Sequence, residues 1–137
     1  MYPEQIVLPM KADLVSAGFE DLTTPDAVES ALKAPGTHLV VVNSVCGCAA
    51  GAARPGVKLA LKQTGKKPSK LSTVFAGFDK EAVAQARQHF LPYPPSSPAI
   101  ALFKDGQLVH FVERHHIEGR SAEMIASNLE AAFEQFC

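Results

Sequence analysis

No run of like charge interrupts this sequence, and none of its apolar stretches is long enough to span a bilayer. With 13 basic and 14 acidic residues and a net charge of -1, the chain carries no electrostatic footprint for nucleic acid or an anionic membrane surface. Proteins and small molecules remain as partners. The opening segment, Met1-Tyr-Pro-Glu-Gln-Ile-Val-Leu-Pro-Met-Lys, has no basic region ahead of an uninterrupted apolar stretch, so no signal peptide is expected. Internal repeats and low-complexity tracts are missing as well. Cysteine is scarce: there are three, an odd number, and two of them stand one residue apart. A structural disulfide framework needs pairs spread along the chain. The expected setting is therefore the reducing cytoplasm, where a close cysteine pair is catalytic, redox-sensing or metal-binding.

What is present fits one globular domain over residues 1–137, since 47% hydrophobic against 20% charged content is enough to bury a core. Ile6, Val7, Met10, Leu14 and Ala17 recur at helical spacing ahead of Gly18, with Pro9 expected to kink or divide that helix. Thr24-Pro25-Asp26 reads as an N-cap, a proline at the first helical position and an acid in the first turn of a second helix, which Pro35-Gly36 stops. Leu39 to Val42 is an apolar run without alternation, the pattern of a strand buried on both faces. An alanine-rich helix follows from Ala49, with a kink expected near Pro55-Gly56. Leu71 to Ala76 reads as a strand, Asp79 as the cap of another helix, and Lys104-Asp105-Gly106 as the turn of a hairpin between two apolar runs. Ser121 opens a closing helix with Ile125, Leu129, Ala132, Phe133 and Phe136 on one face.

A strand-helix-strand unit, a further helix, an antiparallel hairpin and a closing helix make up the thioredoxin-type order. The expected fold is thus α/β and thioredoxin-like, a central mixed four-stranded sheet flanked by helices, with an extra N-terminal helix.

In that layout Cys46-Gly47-Cys48 falls where the first central strand ends and the next helix begins. Unpaired N–H groups and the helix dipole there stabilise a thiolate, so Cys46, further out, is the candidate nucleophile and Cys48 the second or resolving thiol. Residues i and i+2 of a regular helix point to different sides, so the two sulfurs meet only in a non-helical turn, which Gly47 permits. A disulfide between them would close a very small, strained ring. That favours exchange through mixed disulfides, or isomerisation, over general reduction. Ser96-Ser97-Pro98 precedes a strand, as does the often cis proline that faces the cysteines in thioredoxin-like folds. Ser97 and Pro98 are therefore candidate substrate-binding residues, with an ordinary trans proline at a strand start as the alternative.

Other residues stay outside the site. Arg54 reads as a surface arginine beside a kink, and His110, His115 and His116 as solvated loop side chains with no zinc-ligand spacing. Cys137 is open between a mixed-disulfide partner and a small buried hydrophobe. Asn43 and Ser44 are expected to cap the following helix or to hydrogen-bond the Cys46 thiolate.

Several segments together resemble the bacilliredoxin family: Val40-Val-Val-Asn-Ser-Val-Cys-Gly-Cys-Ala-Ala-Gly with Ala53-Arg-Pro, Thr73-Val-Phe-Ala-Gly, Ser96-Ser-Pro, and Val109-His-Phe followed by Arg114-His and Ile117-Glu-Gly. Val7-Leu-Pro-Met and Gly18-Phe-Glu-Asp-Leu-Thr-Thr extend the likeness over nearly the whole chain, while Arg114-His115-His116 has a histidine where an acidic residue is expected and Leu91-Pro-Tyr-Pro-Pro is proline-heavy. The resemblance implies an enzyme that removes bacillithiol from S-bacillithiolated proteins, with Cys46 attacking and becoming bacillithiolated. It also implies bacillithiol as a thiol co-substrate, no bound cofactor or metal, and S-bacillithiolated or disulfide-bearing proteins as partners. The alternatives are a weak protein disulfide isomerase, and a non-enzymatic module in which Cys46, Cys48 and Cys137 hold a metal or sense oxidation.

Overall fold

The computed structural model describes residues 2–137. At the centre lies strand β2 (Thr37–Asn43), whose Leu39, Val40, Val41 and Val42 are all fully buried. Successive side chains of a strand point to opposite faces, so this uninterrupted run requires cover on both sides. Helices supply it. Leu39 and Val41 join the core formed by α3 (Arg54–Gln63) and α6 (Ala122–Phe136), while Val40 and Val42 join that formed by α2 (Pro25–Lys33) and α4 (Lys80–Gln88). Strand β4 (Ala99–Lys104) divides its residues the same way, with Ile100 and Leu102 on the first side and Ala99, Ala101 and Phe103 on the second.

The four expected strands are present, and a fifth extends the sheet beyond them: β1 (Glu20–Asp21), two residues long, pairs parallel with β3 (Lys70–Phe75). The order is β1-β3-β2-β4-β5, with β5 being Gln107–Val112. The first three strands are parallel; β2–β4 and β4–β5 are antiparallel. Asp105 and Gly106 both have positive φ, 51° and 81°, as a two-residue hairpin turn between right-twisted strands demands.

The caps of α2 and α6 form where the sequence placed them: Thr24 accepts from the Ala27 amide and Ser121 from the Met124 amide, each at 3.2 Å. Helix α1 (Glu4–Val15) runs unbroken through Pro9 and buries Val7, Lys11 and Leu14. Ile6, assigned to its apolar face from the sequence, is 48% exposed. Asp79 occupies the N-cap position of α4 but makes no capping bond; its carboxylate accepts from Lys11 Nζ at 2.6 Å, and Asp21 from the same nitrogen at 2.9 Å. A paired lysine therefore lies at the centre of the buried face of α1. Gly56 lets α3 approach α6 closely: a Cβ there would lie 2.6 Å from the Ile125 Cβ. Besides β1, a second short element was unforeseen, the single turn α5 (Arg114–Ile117) after β5.

Candidate active site

Strand β2 delivers the chain at Asn43 into a turn that carries Cys46, after which residues 47–48 are helical and a π-helical turn, Ala49–Ala53, leads into α3. The wide turn comes just before Pro55, whose ring would otherwise press on the carbonyl four residues back; the expected kink takes this form. The Cys46 carbonyl accepts from the amides of Ala49 at 3.0 Å and Ala50 at 3.3 Å, so Cys46 stands at the helical boundary and Cys48 within it. Ser44 does not reach the thiol as anticipated. Its hydroxyl accepts from the Cys46 amide at 3.1 Å, fixing the turn through the backbone.

The two sulfurs lie 2.7 Å apart and both thiols are free. The non-helical turn expected at Gly47 is not what brings them together: Gly47 is helical, with no positive φ and open space around it, and the sulfurs meet because Cys46 lies just before the helix and Cys48 in its first turn. Their environments differ. The hydrogen bond from the Cys48 thiol, the bond from the Cys48 backbone, the nearby Arg114 charge and the Ala49 amide together hold the Cys46 thiol below its usual range against a smaller opposing effect of burial. Burial first, and then the neighbouring Cys46 sulfur, push Cys48 up to about 11. One thiolate beside one retained proton is the favoured state of the pair.

Arg114 is the main residue that sequence reading left out of the site. It opens α5, where its amide donates to Ser96 Oγ at 2.6 Å, its Nη1 to the Ser97 carbonyl at 3.4 Å and its Nε to Glu118. The guanidinium thus ties the proline loop to α5 while its charge acts on both cysteines.

Arg54 is the clearest correction. Far from lying on the surface, it is 5% exposed, and its Nη1 donates to Asn43 Oδ1 at 2.8 Å and to the Ser44 carbonyl at 3.1 Å. Its Nε donates to Asp13 at 3.2 Å. Asn43, in turn, donates to the Met10 carbonyl at 3.0 Å and accepts from the Ser44 amide at 2.9 Å. A buried arginine therefore clamps α1 to the base of the cysteine turn, and Asn43 serves this clamp rather than a helix cap.

A groove of about 410 Å³ opens at the turn, lined among others by Tyr2, Ser44, Cys46, Arg87, Ser97 and Arg114. That volume falls within the range of small-ligand sites. The Ser97–Pro98 peptide bond is cis, as is Leu91–Pro92, and Pro98 is buried at the start of β4. Ser97 and Cys46 therefore share one groove. A larger cleft of about 700 Å³, beside Leu59, Leu61 and Leu71, holds none of the cysteines.

Cys137 is exposed at the end of α6 beside Thr37, the first residue of β2, whereas Cys46 follows the last. The length of that strand, about 20 Å, keeps the third cysteine from forming a metal site with the pair. His115 and His116 are exposed, as anticipated for solvated side chains, but they belong to α5 rather than a loop, and with Glu113 they place ligand atoms within 4.8 Å of one another. His110 lies in β5 and bonds Asn128 at 2.8 Å.

A mixed sheet covered on both faces, a free cysteine pair at the strand-to-helix junction and a cis-proline loop on the same groove define a thiol-disulfide oxidoreductase of thioredoxin-like fold. Among solved structures, the chain superposes on oxidized mitochondrial thioredoxin 3 of Saccharomyces cerevisiae with a TM-score of 0.60 at 15% identity, covering 90% of this chain and 98% of that one. Fasciola hepatica thioredoxin gives 0.61 at 17%, covering 87% and 100%. A family described as disulphide isomerase matches residues 2–137. A bacilliredoxin of Cytophaga hutchinsonii is 67% identical over 135 residues, 98% of this chain and 99% of that protein, and one of Bacillus cereus is 53% identical over 137 residues, 99% and 95%. The chain belongs to the bacilliredoxin family. None of the helices among the described residues is long and apolar enough to cross a membrane.

Proposed function

We propose that the protein acts in the cytoplasm to remove bacillithiol from S-bacillithiolated proteins, with bacillithiol as its thiol co-substrate and no bound cofactor. The observation that carries this reading is the asymmetry of the pair: Cys46 lines the groove and is biased to the thiolate, while Cys48, 2.7 Å away, is biased to keep its proton. The Cys46 thiolate attacks the bacillithiol sulfur of the mixed disulfide. A new bond joins Cys46 to that sulfur, the old disulfide bond breaks, and the substrate protein leaves as a thiolate that takes a proton from solvent. A second bacillithiol thiolate then attacks the same bacillithiol sulfur, freeing the Cys46 thiolate and leaving bacillithiol disulfide. Burial is the largest cause of the raised Cys48 value and persists after Cys46 is capped, which favours an external thiol over Cys48 for this second step. Ser97 and Pro98 would border the incoming substrate backbone, since the loop that carries them lies on the Cys46 groove.

The test is a protein bearing a single bacillithiol adduct, followed by intact mass. Wild type should strip the adduct while Cys46→Ala leaves it in place. An unaffected Cys46→Ala variant would sink the reading. The description of the matching family supports a second reading, disulfide isomerisation, in which scrambled disulfides are reshuffled with no bacillithiol present.

A further inference from the structure

Arg87, in the last turn of α4, is an arginine without a visible purpose. Its Nε is sealed from solvent and has no hydrogen-bond partner, and no carboxylate among the described residues pairs with it. Buried donors are nearly always paired; the sealed Nε is out of a ligand's reach, but the guanidinium that carries it has no partner among the described residues, and its terminal nitrogens are the part that can meet a ligand's acceptor. Arg87 lines the groove of Cys46, with Arg114 also on its wall. Both arginines, with Ser96 and Ser97, also line an adjoining cleft of about 420 Å³ that continues past the proline loop, where Glu113 and Glu118 are the acidic groups. Glu118 is already bonded to Arg114, whereas no carboxylate among the described residues neutralises Arg87. Two guanidinium groups on one groove, in a chain of net charge -1, make a local anion site rather than a general positive bias.

The geometry points to Arg87 and Arg114 as a subsite for the paired carboxylates of a small anionic thiol, held with its sulfur against Cys46. Guanidinium groups bind carboxylates through two parallel hydrogen bonds, which orients the ligand as well as attracting it. The inference rests on the proposed function and names what that function would recognise, because bacillithiol carries its two carboxylates on a malyl group remote from its sulfur.

The test compares two symmetric disulfides as probes, bacillithiol disulfide, with two carboxylates on each half, and the uncharged hydroxyethyl disulfide. The rate of Cys46 adduct formation is followed by intact mass in a Cys137→Ser background, and each rate is divided by that of N-acetylcysteine with the same probe. Wild type should favour the dicarboxylate at least tenfold at low salt, and less at high salt. Arg87→Gln should lower that ratio about tenfold, and Arg87→Lys should recover part of it. A wild-type ratio near one overturns the subsite. So does an Arg87→Gln variant that slows both probes equally, or one that slows neither. Selectivity for an acidic peptide disulfide with none for bacillithiol disulfide would also overturn it, by assigning the groove to a protein partner. A protein that shows the dicarboxylate preference yet leaves a bacillithiolated substrate untouched would refute the proposed function and keep the subsite.

Discussion

Replacing Cys48 by alanine removes the thiol that lies 2.7 Å from the Cys46 sulfur, the largest cause of the lowered Cys46 value. A hydrogen bond to a charged partner contributes about 1.5–3 kcal/mol net, and a thiol is a weak donor in a half-open site, so about 1 kcal/mol applies here. This amounts to about a fivefold smaller thiolate fraction at any pH well below the titration of Cys46. The thiolate that remains is more basic and therefore about twofold more reactive toward a disulfide. Around pH 6 the Cys48→Ala variant should react about two to three times more slowly than its parent, and well above the titration about twofold faster, so the two pH–rate profiles cross. Stopped-flow reaction with excess dithiodipyridine, in a Cys137→Ser background, isolates the first attack of Cys46 from any later step. The sign follows from the direction of the shift: a lowered thiol value places thiolate at lower pH, and losing its cause moves the profile to higher pH. A Cys48→Ala profile that coincides with the parent, or moves toward acid, would refute the reasoning.

Arg54→Met should lower stability by about 2–4 kcal/mol in urea denaturation, because Asp13, Asn43 and the Ser44 carbonyl all lose a buried donor. Arg54→Lys should recover little of this, since an ammonium cannot reproduce the fork, and both variants should slow Cys46 as its turn loosens. Lys11→Met leaves Asp21 and Asp79 facing each other without their cation, and should cost about 3 kcal/mol with an unchanged denaturant slope; adding Asp79→Asn should recover part of the loss. Gly56→Ala gains helix propensity of about 1 kcal/mol but forces a methyl to within 2.6 Å of Ile125, so the melting temperature should fall, with a net cost of about 1–2 kcal/mol.

What could be read along the chain was whatever local physics decides. The run Leu39 to Val42 signalled a doubly covered strand because burial on both faces abolishes alternation, and Asp105-Gly106 signalled a hairpin because both residues tolerate positive φ. Thr24 and Ser121 announced their helices through a bond that closes within three residues. The two-residue β1 and the four-residue α5 are too short to develop a period, and each exists because a distant element holds it: β3 pairs with β1, and Ser96 receives the first amide of α5. Lys11 broke the apolar pattern of α1 because one of its partners, Asp79, lies 68 residues away.

The candidate site divides along the same line. Cys46 and Cys48 were legible because two cysteines one residue apart, between a buried strand and a helix, must lie close together at the helix start, although the sulfurs meet without the non-helical glycine turn that was expected. Arg54, Arg87 and Arg114 were not, since an arginine carries no periodic or turn signal, and its role depends on what the fold sets around it. Arg54 finds Asp13 across 41 residues and becomes a clamp. Arg114 finds Glu118 and the Ser97 carbonyl and becomes a charge fixed beside the cysteines. Arg87, unlike these two, finds no partner among the described residues. Three residues of one type thus take three positions around the same turn, one holding it, one biasing the thiol, and one left without a partner on the wall of the same groove.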